Sequence, residues 1–154
     1  VRQEELVGRA LAMVRESGGR VTRPREHILR TVVHLGGHPT AAQIHAALGG
    51  EGAPHLSTTY RALESLCAIG ALSHVHVDHG EPGFHLSAQV TGSPHVHAAC
   101  STCATVIDLP AEVVEPVADY LRDNGFEPRL GHSALSVRCP RCVGEPAVTD
   151  PAAR

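Results

Sequence analysis

Within nine residues, His95-Val-His-Ala-Ala-Cys-Ser-Thr-Cys103, this chain sets two histidines at i, i+2 and then a Cys-x-x-Cys pair. The residues between them are small or β-compatible, so the first part reads as a strand, on which i and i+2 share a face. His95 and His97 therefore aim two imidazoles at one point. Cys100 and Cys103 have the spacing at which a tight turn brings two thiolates to one ion. A second pair, Cys139-Pro-Arg-Cys142, completes a tetrahedral four-thiolate set. Four reduced thiols or two disulfides are the alternatives. Five cysteines in two such pairs plus one point instead to a reducing cytoplasm and a structural zinc at Cys100, Cys103, Cys139 and Cys142. The fifth, Cys67, falls at an inward helical position and reads as a buried structural thiol.

A metal also compensates for what the composition lacks. Two Phe, two Tyr and no Trp in 154 residues leave a core of Leu, Val, Ile and Ala. Two small domains built that way need a staple or a dimer interface. Twelve histidines are an excess that a metal or proton function explains, and their scatter excludes a tag. The net charge of -3 does not by itself suggest nucleic acid. Residues 1–86 carry 8 Arg against 8 Asp and Glu, and residues 87–154 carry 5 against 8. No apolar run has the length of a membrane span and no signal peptide is evident, so the expected location is cytoplasmic. Nucleophile-elbow, P-loop, dinucleotide and His-Glu-x-x-His motifs are absent, so no enzyme is expected.

Helical periodicity runs over Glu4–Ser17, from Thr22 to Gly36-Gly37, after Thr40, and over Leu56–Gly70, where Ser57 is the expected cap. Ala47 joins Ile44 and Leu48 as an expected inward residue. Two short strands follow, Leu72–Val77 and Gly83–Leu86. Helices followed by a two-stranded ribbon are the order of a winged helix-turn-helix, with the fourth helix as reader. Its start offers Ser57, Thr58, Thr59, Tyr60 and Arg61 to phosphates and base edges; a plain solvated helix start is the alternative. Residues 87–94 are polar with Gly and Pro and read as a hinge. Residues 95–143 then supply three strands and a helix from Ala111 to Asn124, with Val113, Val114, Val117 and Leu121 inward. Pro116 marks a kink or a late start in that helix. Residues 144–154 read as a disordered tail. The expected fold is α+β: a winged-helix domain over 1–86 and an α/β dimerisation domain over 95–143 carrying the four-cysteine zinc.

His38 and His85 lie in the first unit and His95, His97 and Asp108 in the second. A metal taken by both sets would lock one interdomain angle, which is a switch. His74 and His76 form another His-x-His on the first wing strand, which His132 would approach; contact with solvent or phosphate is the alternative there.

These residues together resemble the ferric uptake regulator family of metal-dependent bacterial repressors. The resemblance runs from about Arg15 to Cys142. It rests on Arg20-Val-Thr-Arg-Pro-Arg25, Ser57-Thr-Thr-Tyr-Arg61, the His95/His97–Cys103 block and Cys139-x-x-Cys142. It implies a homodimer on inverted-repeat operator DNA with metal as co-repressor. Arg20 then corresponds to a minor-groove contact and Tyr60 and Arg61 to major-groove contacts, with Arg25 in the same DNA-binding set. His38, His85, His95 and His97 match the hinge regulatory site. His85 stands where iron-responsive members have Glu and peroxide sensors Asp, and nitrogen donors favour nickel or zinc over iron or manganese. Pro94 and Val96 replace ligands of a further site, leaving Glu115 and His132 of it. Ser73–Pro82 is similar to the nickel-responsive branch, in which the equivalents of His74, His76 and His132 bind nickel, although Ser93 stands where that branch has another His. The competing expectation is a zinc-stapled protein-interaction module that binds no DNA.

Overall fold

The computed structural model describes residues 2–50, 53–76, 81–93, 95–128 and 134–144. Helix α1 (Arg2–Glu16) buries Val7, Ala10, Leu11 and Val14 on one stripe, the 3.6-residue period expected of it. Helix α2 (Arg23–Leu35) follows Thr22 and carries Pro24 in its first turn, where a missing N–H costs nothing. Helix α3 (Ala41–Leu48) has a complete capping box. Gln43 N donates to Thr40 Oγ1, and Thr40 N to Gln43 Oε1 at 2.8 Å. Ala41, not Ala47, joins Ile44 and Leu48 in the core.

Helix α4 (Leu56–Ile69) starts two residues earlier than a cap at Ser57 predicts. His55 is its N-cap without a side-chain bond, and Gly70, at φ 83°, ends it in the left-handed conformation. Thr59, four residues before Leu63 and seven before Leu66, falls on the buried stripe.

Strands β1 (Leu72–Val75) and β2 (Gly83–Leu86) pair antiparallel, with Ser73 opposite His85 and His74 opposite Phe84. The loop between them, including His79, lies outside the described residues over 77–80. The ribbon is fastened to the start of α3. Phe84 N donates to Pro39 O at 2.9 Å, and Thr40 bridges Gly83. A Cβ on Gly83 would sit 2.7 Å from the His38 carbonyl oxygen, so the two segments touch backbone to backbone. This contact carries His38 up to His85.

The segment expected to be a plain hinge is partly ordered. Residues Ala88–Thr91 form a one-turn helix, α5, capped by Ser87. Ser87 Oγ donates to the Gly70 carbonyl at 2.5 Å, and Val90 is fully buried against the helical core. The first half of the predicted hinge therefore belongs to the N-terminal body, because Val90 has apolar surface to bury and Ser87 a carbonyl to reach.

Beyond it, β3 (Val96–Cys100) is the middle strand of a three-stranded sheet. It runs antiparallel to β4 (Val106–Leu109), with His97 opposite Asp108, and parallel to β5 (Ala134–Val137), with Cys100 opposite Val137. All five residues of β3 are buried. Helix α6 (Ala111–Asp123) runs unbroken through Pro116, neither starting late nor stopping there. Of its expected inward residues, Val113 and Val117 are instead exposed, while Ala118 is buried. Ile107, Tyr120, Phe126 and Leu135 are large apolar side chains that one chain likewise leaves exposed. His132 and the predicted tail from 145 onward lie outside the described residues. No helix among the described residues is long and apolar enough to cross a membrane.

Candidate metal centres

Two side-chain clusters stand at the two ends of β3. At its C-terminal end the four predicted cysteines converge, with their sulfurs all within 4.8 Å of one another. Two turns supply them. In the first, Ala104 N donates to the Cys100 carbonyl and Cys100 N to Thr105 O, both at 2.9 Å. In the second, Cys142 N donates to the Cys139 carbonyl at 2.9 Å. Ala104 closes the first turn at φ 58°, a conformation that L-residues other than Asn and Asp seldom adopt.

The backbone polarises these sulfurs. Cys139 N donates to Cys100 Sγ at 3.3 Å. That bond, with the N–H groups of Cys103 and Thr102, pulls the Cys100 thiol down to about 6. Thr105 likewise lowers Cys103. Cys142 goes the other way, pushed up to about 12 by burial and then by the neighbouring sulfurs. Four thiolates this close repel one another strongly, and a divalent cation is what allows all four to lose their protons. The donor set and spacing fit tetrahedral zinc.

At the N-terminal end of β3 the histidines gather. His85 arrives from β2, His38 from the turn before α3, His95 and His97 from the start of β3, and Asp108 from β4. Ligand atoms of His38, His85 and His97 lie within 4.8 Å of one another, as do those of His95, His97 and Asp108. His97 Nδ1 donates to Asp108 Oδ1 at 3.0 Å, which leaves its Nε2 with a lone pair, 3.0 Å from His85 Nε2. His95 Nδ1 donates to the Ser93 carbonyl at 2.9 Å, so its Nε2 is a lone pair too. In both rings a partner on Nδ1 sets the tautomer that leaves Nε2 to a ligand.

Burial favours the neutral form of His38, His85 and His97. It lowers His38, holds His85 at about 3, and lowers His97 against the opposing pull of Asp108. His38 Nε2 and His85 Nδ1 are buried without any hydrogen bond among the described residues, although His38 Nε2 lies 3.3 Å from Asp108 Oδ1. Orphaned buried nitrogens are costly unless something accepts them. Neutral lone pairs converging on one point fit a divalent ion of borderline softness.

Other expected residues divide. His74 and His76 have ring centroids 4.9 Å apart, whereas His132 lies outside the described residues. On the fourth helix Ser57, Thr58 and Arg61 are exposed, as is Arg20 before α2. Tyr60 is half-buried, and its hydroxyl donates to Glu81 Oε1 at 3.4 Å. Thr59 corrects the sequence reading. It is fully buried, its hydroxyl donates to the His55 carbonyl, and His45 Nδ1 lies 3.3 Å from it, so it reaches no base edge. Arg25, expected at the DNA, bonds within the chain to the Arg20 carbonyl and Ser65 Oγ. Sequence reasoning missed Gly83, which admits His38, and the Ser93 carbonyl, which orients His95. A glycine opening a strand was the available signal for the first; the second left none.

The family model described as "Ferric uptake regulator family" matches residues 16–133. The ferric uptake regulation protein of Brucella abortus is 30% identical over 130 residues, covering 83% of this chain and 89% of that protein. The peroxide operon regulator of Bacillus subtilis is 31% identical over 140 residues, covering 86% and 90%. A zinc uptake regulator solved in complex with zinc and DNA superposes with a TM-score of 0.62 at 25% identity, covering 93% of this chain and 96% of that one. Relatives named for iron, peroxide and zinc single out no one signal for this chain. What they share, together with the fold and the matched segment, is enough to place it: the chain belongs to the ferric uptake regulator family, whose members are metal-responsive transcription regulators and not enzymes.

Proposed function

We propose that this chain is a homodimeric repressor that binds an inverted-repeat operator when a divalent metal occupies His38, His85, His95, His97 and Asp108, and that a zinc at Cys100, Cys103, Cys139 and Cys142 holds its C-terminal sheet together. The observation that carries the reading is the convergence of ligand atoms, in two sets within 4.8 Å that share His97, where the wing-bearing half meets β3 and β4. A bound cation supplies a Lewis acid that accepts those lone pairs. His38 and His85 belong to the body that carries α4, and His95, His97 and Asp108 to the three-stranded sheet, so sharing one ion fixes the angle between the two. Asp108 orients His97 and adds the only anionic donor. Four nitrogens against one carboxylate favour nickel or zinc over iron or manganese.

Exposed Ser57, Thr58 and Arg61 on α4, with Tyr60 beside them and Arg20 nearby, supply the DNA surface. The exposed apolar side chains of Val113, Val117, Ile107 and Leu135 support self-association. His74 and His76 are the start of a second metal site, completed by His132. The supporting observation is their adjacency, and nickel is the ion that an all-imidazole set there favours.

Replacing His97 by Ala tests the switch. The variant should keep one tight zinc per chain and its dimer, and should lose metal-stimulated operator binding by at least about tenfold, the equivalent of 1.4 kcal/mol. A His97→Ala protein that responds to metal as the wild type does would refute the hinge site.

A further inference from the structure

The Arg25 guanidinium spends two of its donors inside the chain. Nη1 donates to the Arg20 carbonyl and Nη2 to Ser65 Oγ, both at 2.8 Å. Arg25 is half-buried on the first turn of α2, and Ser65 is half-buried on α4, the helix whose exposed start carries Ser57, Thr58 and Arg61. Arg20 is exposed, in the short connection between α1 and α2 that begins at Gly18, φ 75°. Within that connection Gly18 and Gly19 bond back to the end of α1, Val21 packs against the helical core, and Glu26 N returns to the Thr22 carbonyl. The rigid fork of a guanidinium suits two acceptors at a fixed angle, here one on each of the segments it joins.

We propose that Arg25 is a positioning residue. It ties the backbone at Arg20 to α4 and so sets the spacing between the Arg20 side chain and the exposed end of that helix, and it does not neutralise a phosphate itself. This rests on the DNA-binding reading above, and it reassigns one residue that the sequence placed among the DNA contacts. The two roles leave different signatures. A phosphate contact depends on charge, and its loss lowers the dependence of affinity on salt by about one ion. A tie depends on the fork and on Ser65, and its loss weakens binding while leaving that dependence unchanged.

The test has two arms on the full-length protein. Without DNA, ¹⁵N relaxation is measured at Arg20, Val21 and Thr22 in wild type, Arg25→Lys and Ser65→Ala. The heteronuclear NOE at these amides should fall in both variants, with the thermal midpoint close to wild type in Ser65→Ala. In the second arm, operator affinity of the metal-loaded protein is titrated at several salt concentrations. Arg25→Lys keeps the charge but loses the fork, and should bind on the order of tenfold more weakly at unchanged salt slope. Ser65→Ala should weaken binding less, and adding it to Arg25→Lys should cost nothing further. Arg20→Gln should reduce the slope by about 0.9. Near-wild-type binding by Arg25→Lys, or unchanged relaxation in both variants, would overturn the tie. Wild-type protein with no salt-dependent operator binding would sink the DNA reading by itself, and the relaxation arm would still decide whether Arg25 holds the Arg20 segment.

Discussion

Ala104 holds φ at 58° immediately after the second cysteine of the first turn. A β-carbon there costs about 1 kcal/mol, which glycine would not pay. Ala104→Gly should therefore raise the stability of the zinc-loaded protein by up to about that amount, read as an increase in denaturation midpoint. An unchanged or lowered midpoint would mean that the turn is not strained. His85 makes the opposite kind of prediction. Burial, followed by His38, His97 and His95, depresses it to about 3 from an ordinary 6.5. The unfolded chain therefore binds a proton that the folded chain refuses. The neutral form's contribution is complete above pH 6.5 and is lost as pH falls from there toward 3. Between pH 6.5 and 5 this is up to about 2 kcal/mol of metal-free stability, and His85→Gln should lose correspondingly less over the same interval. Equal acid sensitivity in the two proteins would contradict it. The cysteines and histidines were legible because their spacing is chemical. The strain at Ala104 was not, since alanine carries no signal for the left-handed region.

At the scale of elements, what brings His38 to His85 is a backbone contact, and backbone contacts leave faint traces in a sequence. Gly83 opens β2 with no space for a side chain against His38. Gly83→Ala should push the His38 turn off the ribbon, costing about 1–3 kcal/mol in stability and weakening metal binding at the hinge while leaving the four-cysteine zinc untouched. Isothermal titration of the zinc-loaded variant measures this, and wild-type hinge affinity would show that the contact does not position His38. Helix existence followed from periodicity, but element edges did not. The cap of α4 fell at His55 and not Ser57, and Thr59 was assigned to the exposed start although its spacing from Leu63 and Leu66 puts it on the buried stripe. Residues 87–91 looked like linker because Ser, Gln and Thr dominate them, and one buried valine with one serine bond made them a helical turn. Pro116 marks neither a late start nor a break in α6. Proline removes one backbone bond there, and the remaining bonds carry α6 through it.

For the molecule as a whole, two metal-ligand clusters on one buried strand divide the labour. In the proposed function, zinc at the sulfur end ties β3 to the turn after β5, and a second ion at the nitrogen end ties β3 to the winged helix. The apolar faces of α6 and the sheet belong to neither, and their exposure in one chain explains why Val113 and Val117 read as core residues: helical periodicity marks which side must be covered without saying whether the same chain covers it. The histidine-rich character of the proposed hinge site was legible in the sequence. The choice among divalent ions is set by how the five ligands close around one, which spacing does not encode.

The most direct test is to titrate zinc-loaded protein, in parallel, with Ni(II), Zn(II), Fe(II) and Mn(II), while following operator binding by anisotropy and metal content by elemental analysis. The account predicts that one zinc per chain persists throughout. It also predicts that DNA affinity rises only as a second equivalent binds, with nickel or zinc acting at lower free concentration than iron or manganese. Operator binding that is the same with and without the second equivalent would contradict the switch and leave only the zinc staple standing.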